Sequence, residues 1–175
     1  MEIERKFLLS GLPEYFDRYE KLEMEQGYLL SQGCTLRIRR ADDKCYLTLK
    51  KKDKTSELAG VIVNEEFETE IPRASYEALK QLVQSGFIEK TRTLIPYLEH
   101  TIEVDVFHGE LEGLVFAEIE YRDTDDALHL PLPTWFSKDV SDDRRFRNTH
   151  LSNMEPDEIA LFLAEIGAYA LVLPS

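Results

Sequence analysis

Apolar and polar positions alternate along most of this chain. At the N-terminus Glu2, Glu4 and Lys6 interleave with Ile3, Arg5 and Phe7, which predicts a strand over 2–9. The same period predicts strands over 24–31, 61–71, 87–97, 101–108 and 114–122, and a hairpin of 34–41 with 44–52 around Asp42-Asp43. Residues 13–21 read as a short helix or an irregular excursion. A helix follows Pro72, with Tyr76, Leu79 and Val83 at helical spacing and Gly86 as the residue just past its end. Gly109 to Gly113 reads as a loop, and 125–136 as irregular because of Pro131 and Pro133. A last helix starts near Pro156, where Ile159, Phe162, Leu163 and Ile166 form one apolar stripe. About eight or nine strands with two or three helices suit a closed antiparallel barrel or a strongly curved sheet.

Bulk properties narrow the class. The chain has 175 residues, 43% of them hydrophobic, enough for one ordinary domain over 1–175. No apolar run reaches the roughly 18 residues of a membrane span, and charges interrupt the N-terminus where a signal peptide would be apolar. The chain therefore reads as soluble and cytoplasmic, with no membrane partner. A net charge of −13 argues against a nucleic-acid partner. Two cysteines make neither a disulfide framework nor a zinc spacing, and the four histidines form no HxxH pattern.

The charges, however, are segregated by strand face. Arg37 and Arg39 share one face, Lys50 and Lys52 another, and Lys90 and Arg92 a third. Glu66, Glu68 and Glu70 share a face, as do Glu103 with Asp105 and Glu118 with Glu120. Any single doublet suits a solvated strand face. Seven strands carry one, though, and beyond the first strand each has a single sign, whereas a face built for solubility mixes signs. Lysine and arginine rows suit phosphates. Carboxylates with no His or Cys partner suit a hard cation such as Mg²⁺, Mn²⁺ or Ca²⁺. Together they point to a metal-dependent polyphosphate site.

On these residues the chain resembles the CYTH-domain family of triphosphate tunnel metalloenzymes. The resemblance runs from Glu2-x-Glu4-x-Lys6 through Gln26-Gly27-Tyr28-Leu29, Leu36-Arg37-Ile38-Arg39, Tyr46 to Lys50, Glu66-x-Glu68, Lys90-Thr91-Arg92, Glu103 to Phe107 and Ala117 to Glu120. It ends with Asp139-Val140 and Arg145-Phe146-x-Asn148, so it covers about residues 1–151. Leu130 to Phe136 is similar to the small bacterial branch active on inorganic tripolyphosphate. Thr93 departs from the pattern, where relatives often carry tyrosine.

The resemblance implies a closed eight-stranded antiparallel barrel around a hydrophilic tunnel, with helices packed outside. It implies hydrolysis of a small-molecule triphosphate with Mg²⁺ or Mn²⁺, and Ca²⁺ as a candidate inhibitor. Glu2, Glu4, Asp105, Glu118 and Glu120 would form the metal set, with Glu66, Glu68 and Glu103 as second candidates. Lys6, Arg37, Arg39, Lys50, Arg92 and Arg145 would hold phosphates, and Lys52 joins them by its place in the basic row. Lys90 or Tyr28 would activate water, Lys90 being the first choice. Adenylyl cyclase, thiamine or nucleoside triphosphatase, and a polyphosphate-binding module without turnover stay open on the same fold. A homodimer is also open.

Overall fold

The computed structural model describes residues 2–30, 34–52 and 62–173, without the side chains of Glu2, Lys52 and residues 62–64. Among them are nine strands and four α-helices: β1 (Glu2–Leu9), β2 (Glu20–Leu30), β3 (Thr35–Ala41), β4 (Lys44–Lys52), β5 (Ile62–Ile71), α1 (Arg73–Lys80), β6 (Ile88–Tyr97), β7 (His100–Phe107), β8 (Val115–Tyr121), α2 (Thr124–His129), β9 (Phe136–Asp139), α3 (Asn148–Leu151) and α4 (Pro156–Gly167). No described helix is long and apolar enough to cross a membrane.

All pairings are antiparallel, in the order β5-β4-β3-β2-β6-β7-β8-β1-β9. This corrects the expectation of a closed eight-stranded barrel. The sheet has nine strands, and the far edge of β1 is divided between two neighbours. Glu2, Ile3 and Glu4 pair with Asn64, Val63 and Ile62 of β5, while Phe7, Leu8 and Leu9 pair with β9. Among the described residues the two ends of the eight-strand run therefore meet over three residue pairs, so the sheet is strongly curved rather than closed along its length. Helix α2 occupies part of the stretch 125–136 expected to be irregular, and the short β9 begins at that stretch's last residue. Ser141 helps to hold it beside β1: its backbone N–H and its hydroxyl both donate to Asp139 Oδ1, and its Oγ accepts from the Lys6 N–H.

The helices also differ from the expected two or three. Residues 16–18 form only a 3-10 turn. Helix α1 stops at Lys80, well before Gly86. The Gly86 N–H instead donates to Ser152 O at 2.8 Å, and a Cβ there would lie 3.0 Å from that oxygen. Gly86 is thus required by a close backbone approach, not by a helix end. Helix α4 starts where expected, with Pro156 in its first turn and a reciprocal capping box between Glu155 and Glu158.

Three apolar clusters fix the sheet's shape. On the convex face Ile3, Phe7, Ile95, Ile102, Val104, Ala117 and Ile119 are covered by α2, Trp135, Phe136 and the tail at Leu171 and Leu173. Helix α1 packs Tyr76 over Ile38 and Cys45. The third cluster lies at one end of the concave face. There Leu8, Tyr28, Ile88, Phe107 and Phe116 meet Phe146, Leu151, Ile159, Phe162 and Ile166, so α3 and α4 stopper that end.

Candidate active site

Strand register decides which side chains share the concave face, because antiparallel partners point the same way. Tyr28 pairs with Arg37, Arg37 with Thr48, and Thr48 with Glu68. The next row is Gln26, Arg39, Tyr46 and Glu70. On the other strands Glu4 opposes Glu120, Lys6 opposes Glu118, Glu118 opposes Glu103, and Arg92 opposes Asp105. Thus the backbone brings all the expected strand residues to one face. The side chains of Glu2 and Lys52 lie outside the described residues.

Two buried networks organise that face. In the first, Arg92 Nε and Nη2 donate to Asp105, and Nη2 also donates to Glu118 at 2.8 Å. Arg92 pairs with Glu103 as well. Lys90 Nζ contacts Asp105 Oδ2 at 2.5 Å, and Lys6 bonds to Glu118 with Glu4 at 3.7 Å. Lys90 is 1% exposed and Asp105 0%. In the second network Glu68 accepts from Thr48 at 2.6 Å, from Arg39 at 3.0 Å and from Arg37 at 3.3 Å. Lys50 pairs with Glu66 at 3.0 Å.

The environment moves several proton affinities. Burial pushes the Lys90 ammonium down, with the Arg92 charge adding to it, and the result is a pKa of about 8 despite Asp105. Burial alone would lower Lys6 too, but Glu118 and Glu4 hold it above its ordinary value. Burial raises the Asp105 carboxyl, yet Arg92 and Lys90 outweigh it and keep it below the usual range. Glu118 is likewise held low, burial being outweighed by Lys6 and Arg92. Glu103 goes the other way: burial raises it against Arg92, and the nearby Glu118 and Asp105 charges add to the rise. Burial also raises the Tyr28 phenol in spite of Arg37, Lys50 and Lys6.

One expected residue stands apart from the strands. Arg145 lies on the 3-10 turn Arg144–Phe146, and its described ion pairs go to Asp143 at 2.7 Å and to Glu165 of α4 at 2.6 Å. Glu120 shares its strand face with Glu118 but is exposed. Among the described residues no three His, Cys, Asp or Glu side chains form a ready metal cage, because the nearest carboxylates are tied to lysine and arginine. Sequence reasoning passed over Thr48 and Gln26. Both sit on the charged face by simple alternation, Thr48 between Tyr46 and Lys50, Gln26 between Met24 and Tyr28. Gln26 Nε2 donates to Tyr28 Oη at 2.8 Å.

A curved antiparallel sheet with interlocked rows of basic and acidic side chains on its concave face defines a class of charged-channel proteins. Within it, this chain belongs to the CYTH domain family, whose model matches residues 1–145. An inorganic triphosphatase of Nitrosomonas europaea is 30% identical over 154 residues, spanning 86% of this chain and 96% of that protein. An inorganic triphosphatase of Acetivibrio thermocellus is 36% identical over 156 residues, spanning 86% of this chain and 92% of its own. The crystal structure of an inorganic triphosphatase superposes with a TM-score of 0.63 at 30% identity, covering 89% of this chain and 97% of the other.

Proposed function

We propose that this chain hydrolyses inorganic triphosphate to pyrophosphate and phosphate. The observation that carries the proposal is a pair of buried guanidinium nitrogens, Arg37 Nε and Arg39 Nε, that have no hydrogen-bond partner among the described residues. Burying a cationic donor unpaired is costly, and a phosphate oxygen satisfies it with good geometry. These arginines line the channel from β3, while Lys6 lines it from β1 and Lys90 and Arg92 from β6. A short chain of phosphates fits this distribution better than one isolated anion. The names of the two relatives point the same way.

Mg²⁺ or Mn²⁺ fits the remaining residues. Glu4 with Glu120 and Glu103 with Glu118 are cross-strand partners on adjoining strands. All their donors are oxygens, which suits a hard cation. Burial raises the Glu103 carboxyl, with the Glu118 and Asp105 charges adding to the rise, and a cation beside it would favour its charged form. Glu2, Glu4 and Glu120 would hold the ion, Glu103 and Glu118 joining them by exchanging contacts with Arg92 and Lys6, while Asp105 stays bound to Arg92 and Lys90. When bound, the ion neutralises phosphate oxygens and polarises water. Ca²⁺ suits the same oxygens in looser geometry, so it would compete without supporting turnover.

Water attacks the terminal phosphorus in line with the bond to the leaving pyrophosphate. The new bond is P–O from water, the broken one is the P–O–P anhydride, and the water proton must leave. Lys90 is assigned to orient that water and take its proton; the pKa of about 8 lets part of the lysine be neutral near that pH, as a base must be before it accepts a proton. Tyr28 is assigned a different role. Gln26 donates to its oxygen, so its own O–H is free to donate to a phosphate oxygen, and burial keeps the phenol protonated. Glu66 and Glu68 hold the basic rows, and Arg145 braces α4.

Phosphate release from tripolyphosphate, ATP and thiamine triphosphate, each with Mg²⁺ and Mn²⁺, tests the proposal. Fastest release from tripolyphosphate supports it. Release only from a nucleotide or thiamine ester shifts the substrate, cyclic AMP as product makes the chain a cyclase, and tight binding without release makes it a binding module.

A further inference from the structure

We infer that Thr48 is a positioning residue for the two phosphate-binding arginines, an inference that rests on the triphosphatase reading of the site. Thr48 lies on β4, midway between Arg37 on β3 and Glu68 on β5, and pairs directly with both. It is 1% exposed. Its hydroxyl uses both of its capacities. The O–H donates to Glu68 Oε2 at 2.6 Å, and the oxygen accepts from Arg37 Nη2 at 3.1 Å.

This relay solves a problem of reach and aim. Neighbouring strands lie about 4.8 Å apart, so Arg37 must cross β4 to meet a carboxylate on β5. A long side chain at position 48 would obstruct that crossing, and an apolar one would leave nothing to hold the guanidinium halfway. Glu68, fixed by Thr48, also accepts Arg39 Nη2 at 3.0 Å on both oxygens. One hydroxyl therefore aligns both guanidinium groups through their Nη2 atoms. The Nε atoms of the same two arginines are buried without a hydrogen-bond partner among the described residues. In each group Nη2 is anchored while the Nε–H is kept for the ligand.

The test compares Thr48→Val, which keeps the shape but removes the hydroxyl, with Thr48→Ser, which keeps the hydroxyl. In the Mg²⁺-loaded enzyme Thr48→Val is expected to raise KM for tripolyphosphate about tenfold with kcat changed by less than about threefold, since hydrogen bonds to charged groups are worth about that factor or more. Thr48→Ser is expected to stay near the parent protein. A second readout omits metal: tripolyphosphate in EDTA should raise the melting temperature of the parent and of Thr48→Ser, and far less that of Thr48→Val. If Thr48→Val does not fold, Glu68→Gln, which removes the charge that Thr48 orients, takes its place in both measurements. Parent-like KM and melting shift in Thr48→Val, or loss of both in Thr48→Ser, overturns the inference while leaving the triphosphatase reading intact. Absence of any phosphate release by the parent protein removes that reading itself.

Discussion

Arg92 grips Asp105 with two parallel bonds, Nε to Oδ1 and Nη2 to Oδ2, each 2.7 Å long. Asp105 is fully buried, so its charge has no water to fall back on. Asp105→Ala leaves Arg92 and Lys90 crowded together without their shared anion. Breaking a buried pair from one side costs about 3–5 kcal/mol. We expect a loss of that size in urea denaturation, and a smaller one for Asp105→Asn, which still accepts hydrogen bonds.

Lys90 is predicted to act on the chemical step. Lys90→Ala should lower kcat by about 10²–10⁴ with little change in KM, the usual range for a lost proton-transfer group. Steady-state kinetics on tripolyphosphate check this. A raised KM with kcat preserved would make Lys90 a binding residue instead.

The carboxylates of β1 and β8 are predicted to carry the metal requirement. Chelation with EDTA should abolish phosphate release, and Mg²⁺ or Mn²⁺ should restore it. Glu4→Gln and Glu120→Gln should each abolish metal-dependent turnover without unfolding the sheet. Near-normal activity in either variant would remove that residue from the metal set.

Stability should depend on pH through a contact remote from the channel. The Tyr76 O–H donates to Glu25 Oε1 at 2.6 Å, and Lys80 Nζ reaches the same oxygen at 2.8 Å. Burial raises Glu25, but the bonds from Lys80 and Tyr76 outweigh it, so its folded pKa lies below the unfolded one. The folded state then binds its proton less readily, and the stabilisation is lost as pH falls from the unfolded value through the folded one. Tyr76 has the opposite sign. Burial and Glu25 raise its pKa, so its contribution is present below about pH 10, the unperturbed value, and is lost as pH rises further. Urea midpoints measured from pH 3 to 11 should therefore fall less steeply at both ends in Glu25→Gln than in the parent.

The C-terminal stopper should matter for folding. Phe162 is buried against Phe146, their ring centroids 5.1 Å apart, and Arg145 lies over the Phe162 ring. Phe162→Ala removes a large buried ring, a change that costs about 3–5 kcal/mol. Thermal or urea melts would show it. Loss of Arg145 alone should cost much less, because its pairs are partly exposed.

Much of the site was legible because a strand's period is strict. Once Glu4 and Lys6 share a face, so do Glu118 and Glu120, and no tertiary information is needed to say so. Partner choice was not legible. Glu68 looked like a spare metal ligand, and only the register of β3, β4 and β5 shows it meeting Arg37 and Arg39. The same holds for β9, four residues whose strand character comes from pairing with β1. Gly86 was misread as a helix end because its real constraint, the Ser152 carbonyl, lies far along the chain. The divided edge of β1 is likewise a long-range outcome that alternation cannot encode.

The stopper made by α3 and α4 also has a kinetic meaning. Phe107, Phe116 and Tyr28 close off the floor beneath Lys6 and Lys90, with Lys6 Nζ 5.5 Å from the Phe116 ring centre and Lys90 Nζ 5.5 Å from that of Phe107. Among the described residues the channel is stoppered at that end, so substrate and product are expected to exchange through the other. Pyrophosphate must back out before the next triphosphate can enter, so it should compete directly with substrate. A long polyphosphate cannot be drawn through and clipped at successive links; only its leading end can reach the floor.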